Sequence, residues 1–309
     1  MIPNNNCTVV ITTFFSSQKL ENCLTRIPNI YPIIIIDNGC EKEKKFYFEN
    51  KFKNLTYVIP GENLGIPRSY TLALSLIKTR FMFNTQPDVI IKEGCIEKLL
   101  QATSNYPNAA ILSPIIFHGG KYLLDGDYKV LKLKKNKLDF SKYKHKKEKQ
   151  YFYYPPDGDL CVDSVTATAM LIDTQKIKKI NDWDNNIFSY YEDMDLCLRF
   201  RIAGYQIIKI KNAEVDHEAF SSHDKKFEKQ LDFSRNWHNS WATFYFYTKH
   251  GSKFEAYSFA IPLFLSSFFK FIFYFFYNKK KYKTYLAKFL GITYSILKKK
   301  SSHRPQIYK

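Results

Sequence analysis

Four short, unbroken apolar runs recur in the first ninety residues, at 8–15, 33–36, 55–59 and 81–83, and polar residues end each one. A strand with one solvated face alternates apolar and polar side chains. Four consecutive isoleucines, Ile33 to Ile36, do not alternate. Such a strand needs cover on both faces, the condition of a parallel sheet between helices. The stretches between the runs have room for that cover: one helix is expected from Ser17, and Pro67 opens another through about Lys78. The first third therefore predicts an α/β fold with a mostly parallel, Rossmann-like sheet.

Sheets of this kind bind ligands beyond the carboxyl ends of their strands. The polar residues collected there are Thr12 and Thr13, then Asp37 with Asn38 and Gly39, Asn63 with Gly65, and Gln86 with Pro87 and Asp88. Asp37 is placed to accept from a base or ribose, although Asp-Asn-Gly is also a good turn. Asn63 and Gly65 precede a helix, where backbone N–H groups can meet phosphates; a plain loop fits them equally. Asp88 is a carboxylate able to hold Mg²⁺ or Mn²⁺ against a diphosphate, because hard cations share oxygen ligands with substrate phosphates. His217, after the strand expected from residue 205, can add a nitrogen ligand, which favours Mn²⁺; taken alone, a structural histidine is the better reading.

Glu192, Asp193 and Asp195 crowd the start of a helix that stops at Gly204. Acids are favoured in a first helical turn, so a capping cluster is one explanation. A bound cation or a proton-accepting role is the other.

Farther along, residues 162–172 return to strand character and Asp173 begins a helix. Residues 119–154 read as a lysine-rich insertion, with eleven lysines from Lys121 to Lys149. Residues 256–277 are almost wholly apolar and aromatic, about the length of a membrane span, but Pro262 and Lys270 interrupt them. Eight lysines and no acid follow between 279 and 300. Apolar surface flanked by lysines suits a helical tail lying on an anionic leaflet. The net charge of +18 calls for an anionic partner. Six scattered cysteines without a C-x-x-C pair argue against a zinc site or a disulfide framework and fit a reducing cytosol. No basic-then-apolar leader precedes the first strand.

Taken in order, these pieces resemble the family 2 nucleotide-sugar glycosyltransferases of GT-A fold, in particular the bacterial rhamnosyltransferase-like branch. The resemblance covers roughly residues 7–250. Its most specific element is Tyr-Glu-Asp-x-Asp-Leu-x-x-Arg at 191–199, before Ala203, Gly204 and Tyr205; the strand-ending Pro87 and Asp88 come next. It implies that Thr12, Thr13, Asp37 and Asn63 line the donor nucleotide pocket and that Arg235 touches the diphosphate. Asp88 and His217 would hold a divalent metal, with Gln86 departing from the usual acidic or Asn position. Asp193 would be the base of an inverting displacement, Glu192 its helper, and Asp195 a cap tied to Arg199.

The expected protein is thus a GT-A domain over 1–250 with a membrane-associating tail over 251–309, peripheral on the inner face of the cytoplasmic membrane. Its expected partners are a dTDP- or UDP-linked sugar donor, a glycan or lipid-linked acceptor and an anionic membrane surface, without nucleic acid. Two other readings compete: a basic nucleic-acid-binding protein, and a glycosyltransferase-like scaffold without activity.

Overall fold

The computed structural model describes residues 6–123, 133–134, 137–138, 155–218 and 225–305. In chain order it begins β1 (Cys7–Thr13), α1 (Ser17–Leu24), β2 (Ile33–Asp37), α2 (Lys42–Lys51) and β3 (Leu55–Val58). Next come α3 (Gly65–Leu76), β4 (Phe81–Thr85), β5 (Val89–Ile91), α4 (Cys95–Asn105) and β6 (Ala109–His118). The short strands β7 (Lys121–Leu123), β8 (Leu133–Lys134), β9 (Lys137–Leu138) and β10 (Leu160–Cys161) precede β11 (Ala169–Asp173) and α5 (Thr174–Lys179). The chain continues through α6 (Glu192–Ile202), β12 (Gln206–His217), α7 (Glu228–His250), α8 (Lys253–Tyr277) and α9 (Lys279–Ile296). Most of the lysine-rich insertion expected at 119–154 lies outside the described residues.

The main sheet runs β10-β12-β6-β11-β4-β1-β2-β3. Strands β4, β1, β2 and β3 are mutually parallel, as the apolar runs predict, and β6 is parallel to β12. Between these two groups β11 runs antiparallel to both neighbours, so the sheet is mixed. Burial on both faces is visible residue by residue. Val9, Ile11, Ile33, Ile35 and Phe83 pack on one side with Phe48 and Leu99. Val10, Ile34, Ile36 and Met82 pack on the other with Tyr70, Leu74 and Phe200. The alternation follows from the two-residue period of a strand.

Pro114 stands inside the long strand β6, where a residue without an N–H breaks a ladder. Its partner β12 answers with a bulge, because the register jumps from Ile210 opposite Pro114 to Glu214 opposite Ile115.

The last three helices form their own layer. Trp237 and Trp241 of α7 pack with Ala287 of α9, and Phe244 and Tyr247 pack with Ala260 of α8 and Ile292 of α9. Gly291 lets α9 approach α7 closely: a Cβ there would stand 2.1 Å from the Trp237 carbonyl oxygen. Helix α8 runs unbroken through Pro262. Among the described residues it is the one helix long and apolar enough to cross a membrane, yet only 11% of its most apolar stretch is buried. Phe254, Phe269, Phe273 and Phe276 all stand exposed along it.

Candidate functional site

At the carboxyl ends of β1 and β4 lies a cleft of about 210 Å³. Thr12 and Thr13 end β1 on its floor, and Asn38, Asn63, Gln86 and Arg235 contribute to its walls. The sequence reading thus finds four of its five donor-site residues on one cleft. Asp37 is the exception. It is fully buried beneath the cleft, and its two carboxylate oxygens accept from the amides of Gly39 and Glu41, at 2.8 and 2.7 Å. Burial pushes its pKa up, while those amides pull it down. In this structure Asp37 holds the turn that presents Asn38.

At 63–65 the structure favours the plain-loop reading. Its amides are already satisfied: Leu64 N donates to Asn38 Oδ1, Gly65 N to Asn63 Oδ1 and Ile66 N to the Phe188 carbonyl, at 2.8, 3.0 and 2.8 Å. Three amides engaged inside the protein are not a phosphate cradle. They bind the start of α3 to the segment before α6. Gly65 permits that contact, with φ +73° and only 2.4 Å between a would-be Cβ and the Phe188 carbonyl oxygen.

Asp88 follows Pro87, which lines the cleft, and is itself 3% exposed. Pairing of β5 with β12 sets His217 opposite Val89 and so beside Asp88. The His217 Nε2 to Asp88 Oδ2 distance is 3.6 Å, too long for a hydrogen bond, and Asp88 Oδ1 is buried without a hydrogen-bond partner. An orphaned carboxylate oxygen beside an imidazole nitrogen fits a shared cation, and that donor pair suits Mn²⁺. No group of three or more ligand side chains occurs among the described residues, so a cation here needs further oxygens from a substrate diphosphate or water.

Helix α6 begins at Glu192, and Glu192, Asp193 and Asp195 all lie in its first turn, at the helix start where the sequence crowds them. It is entered through two left-handed residues, Tyr190 at φ +69° and Tyr191 at φ +66°. Bulky side chains adopt that conformation at a cost, typically where a site demands it. Glu192 is buried, its Oε2 has no hydrogen-bond partner, and burial followed by the charge of Asp193 pushes its pKa well above the usual carboxyl range. Asp193 is partly exposed and accepts from the amides of Met194 (2.8 Å) and Ala167 (3.3 Å). Both acids influence the buried Tyr70, whose hydroxyl also meets Thr12 on the cleft floor. Neither acid is among the residues that line the cleft.

Asp195 is not the cap that the sequence suggests: Tyr191 occupies that position without a side-chain bond. The tie to Arg199 is present at 2.7 Å, and Lys249 and His250 of α7 reach the same carboxylate at 2.5 and 2.7 Å. Burial alone would raise its pKa, but the hydrogen bond from His250 and the cations hold it below the usual carboxylate range.

Sequence reasoning missed Phe188, Ser189, Ser234 and Pro305, which also line the cleft. Phe188 carried a signal, as the head of the aromatic run before the acids. Pro305 did not, since nothing in the sequence says that the chain after α9 returns to the sheet.

Residues 8–161 match the family model for Glycosyl transferase family 2. The chain carries a family 2 glycosyltransferase domain. A curated relative, Rhamnosyltransferase WbbL of Escherichia coli (strain K12), is 24% identical over 235 residues, covering 72% of this chain and 84% of its own. The fold resembles that of a solved structure titled crystal structure of GalNAc-T7 with UDP, GalNAc and Mn²⁺, at a TM-score of 0.53 and 11% identity. That match covers 77% of this chain and 52% of the other, so the likeness is one of GT-A fold and the chain spans about half of that structure. The family match over 8–161 contains Thr12, Thr13, Asp37, Asn63 and Asp88 and ends before Glu192, Asp193, His217 and Arg235.

Proposed function

We propose that this glycosyltransferase moves a sugar, with inversion, from a dTDP- or UDP-linked donor to a hydroxyl of a lipid-linked or surface-glycan acceptor. Asp193 takes the proton of the acceptor hydroxyl. The acceptor oxygen bonds to the anomeric carbon as the bond from that carbon to the diphosphate breaks, and the electron pair leaves with the nucleoside diphosphate. Glu192, kept neutral by its burial, donates a hydrogen bond to the acceptor or to Asp193; two neighbouring acids in different protonation states divide such roles. Thr12, Thr13, Asn63 and Arg235 hold the donor, with Asp37 supporting the turn at Asn38. Asp88 and His217 hold the metal, which when bound neutralises charge on the departing diphosphate.

The observation carrying this reading is the buried, unpartnered Asp88 oxygen beside His217 at the strand ends. The functional division falls at residue 250. Residues 251–309 act as a tail that lies on the anionic inner face of the cytoplasmic membrane, supported by the exposed aromatic side of α8 and the lysines of α9. Thermal unfolding in the presence of UDP- and dTDP-sugars, with and without Mn²⁺, tests the site. One donor should raise the midpoint in a Mn²⁺-dependent way, and Asp88→Ala should remove the metal dependence. An Asp193→Ala variant that transfers sugar at the wild-type rate refutes the assignment of the base.

A further inference from the structure

After α9 the chain does not leave the molecule. Residues 299–305 run back along α7 to the cleft, where Pro305 is buried and stands on the wall with Asn63 and Arg235. Three bonds fasten this strap: Trp241 Nε1 donates to the Lys299 carbonyl at 2.9 Å, and His238 meets both Ser301 Oγ and the His303 carbonyl at 2.8 Å. A carbonyl only accepts, so His238 Nε2 carries the hydrogen, and in the neutral ring Nδ1 then accepts from the Ser301 hydroxyl. That pattern requires a neutral ring, and burial depresses the His238 pKa to about 3. None of these groups serves the transfer chemistry described above.

The strap delivers one charge to the cleft. The Arg304 guanidinium lies 4.1 Å from the centroid of the Phe188 ring, and His238 stacks on the same ring at 4.3 Å. One Arg304 nitrogen, Nη1, donates to the carbonyls of Ser301 and His303, at 2.7 and 2.9 Å, which fixes the fork. Arg304 also feels Arg68 and Glu62, an ion pair on either side of Asn63 in the chain. Arg235 of α7 lines the cleft and pairs with Asp232 at 3.3 Å, Arg304 lies on the Phe188 ring of its wall, and Arg68 of α3 is paired with Glu62 at 2.8 Å. A guanidinium fixed on the wall of an open cleft favours an anion there, and arginine forks match phosphate oxygens.

We infer that residues 299–305 form part of the donor site, with Arg304 a binding residue for the donor's diphosphate and His238 the positioning residue that holds it there. The inference rests on the donor reading above, and its test separates the two.

Calorimetric titration of wild type, Arg304→Gln, Arg304→Lys and His238→Ala with UDP, dTDP, uridine, thymidine and inorganic pyrophosphate, all with Mn²⁺, reads the site directly. Arg304→Gln should weaken the nucleoside diphosphate and pyrophosphate about tenfold and leave the parent nucleoside unchanged, the loss expected for one charge-assisted bond. Arg304→Lys should recover part of the affinity, and His238→Ala should mimic Arg304→Gln. If Arg304→Gln fails to fold, His238→Ala decides in its place. Wild-type affinity for the diphosphates in these variants overturns the inference. A wild type that binds pyrophosphate through Arg304 but no nucleoside diphosphate keeps the anion site and refutes the donor reading. A wild type that binds neither refutes both.

Discussion

Two glycines separate backbone strain from close packing near the cleft. Gly61 and Gly65 both have positive φ, +85° and +73°, so alanine at either carries a left-handed cost of about 1–2 kcal/mol. At Gly61 a Cβ meets nothing within 4 Å, and the cost ends there. At Gly65 the Cβ would fall 2.4 Å from the Phe188 carbonyl oxygen and 2.5 Å from its ring. The segment before α6 must then retreat. That breaks the 2.8 Å bond from Ile66 N, worth about 1 kcal/mol, and adds about 1–3 kcal/mol of overpacking. Gly65→Ala should therefore lose about 3–6 kcal/mol where Gly61→Ala loses about 1–2 kcal/mol. Urea unfolding of the two variants measures the difference, with UDP and dTDP titrations as a second readout because Phe188 lines the cleft. Only Gly65→Ala should weaken nucleotide binding. Equal stability losses, within about 0.5 kcal/mol, would show that Phe188 yields freely and that the α3–α6 contact does not shape the site.

Three further outcomes follow from the same geometry. Glu192→Gln should raise the unfolding temperature at neutral pH by a few degrees. The folded-state pKa of Glu192 is raised, so wild type loses stability as pH climbs above the unfolded carboxyl value near 4.5. The advantage of the variant should vanish below that pH, and a constant advantage at all pH values would refute the buried-carboxyl account. Gly291→Ala should push α9 off the Trp237 carbonyl and cost about 1–3 kcal/mol in a urea titration, although this glycine has ordinary helical φ. The protein should float with anionic phosphatidylserine vesicles, and Phe269→Ser with Phe273→Ser should reduce that several-fold; unchanged flotation would remove α8 from the contact.

The parallel half of the fold was legible because unbroken isoleucine runs permit few alternatives. The antiparallel β11 was not, because strand direction leaves no mark on a five-residue apolar segment. Strand β6 hides behind Pro114, whose missing N–H is accommodated only by a bulge on a strand a hundred residues away. Helix α2 is highly charged and buries only Phe48, so its periodicity is faint. The positions of Thr12, Thr13, Gln86 and Asp88 at or just after strand ends were readable in the sequence, and Asn63 falls in the loop between β3 and α3. For Asp37 and the 63–65 amides, residue type does not reveal which hydrogen bonds the protein has already made for itself. Pro305 and Arg304 reach the cleft through the tertiary path of α7–α9, which no local pattern encodes.

Asp195 gathers Arg199 of its own helix with Lys249 and His250 of α7. Substitutions at these four positions cannot have independent effects. Removing one of these partners leaves two on the buried carboxylate, whereas removing the carboxylate strands all of them together. Drift at any one position therefore changes which replacements the other three tolerate. The helix bearing the proposed base and the helix on which the tail packs are bound to vary as a single unit.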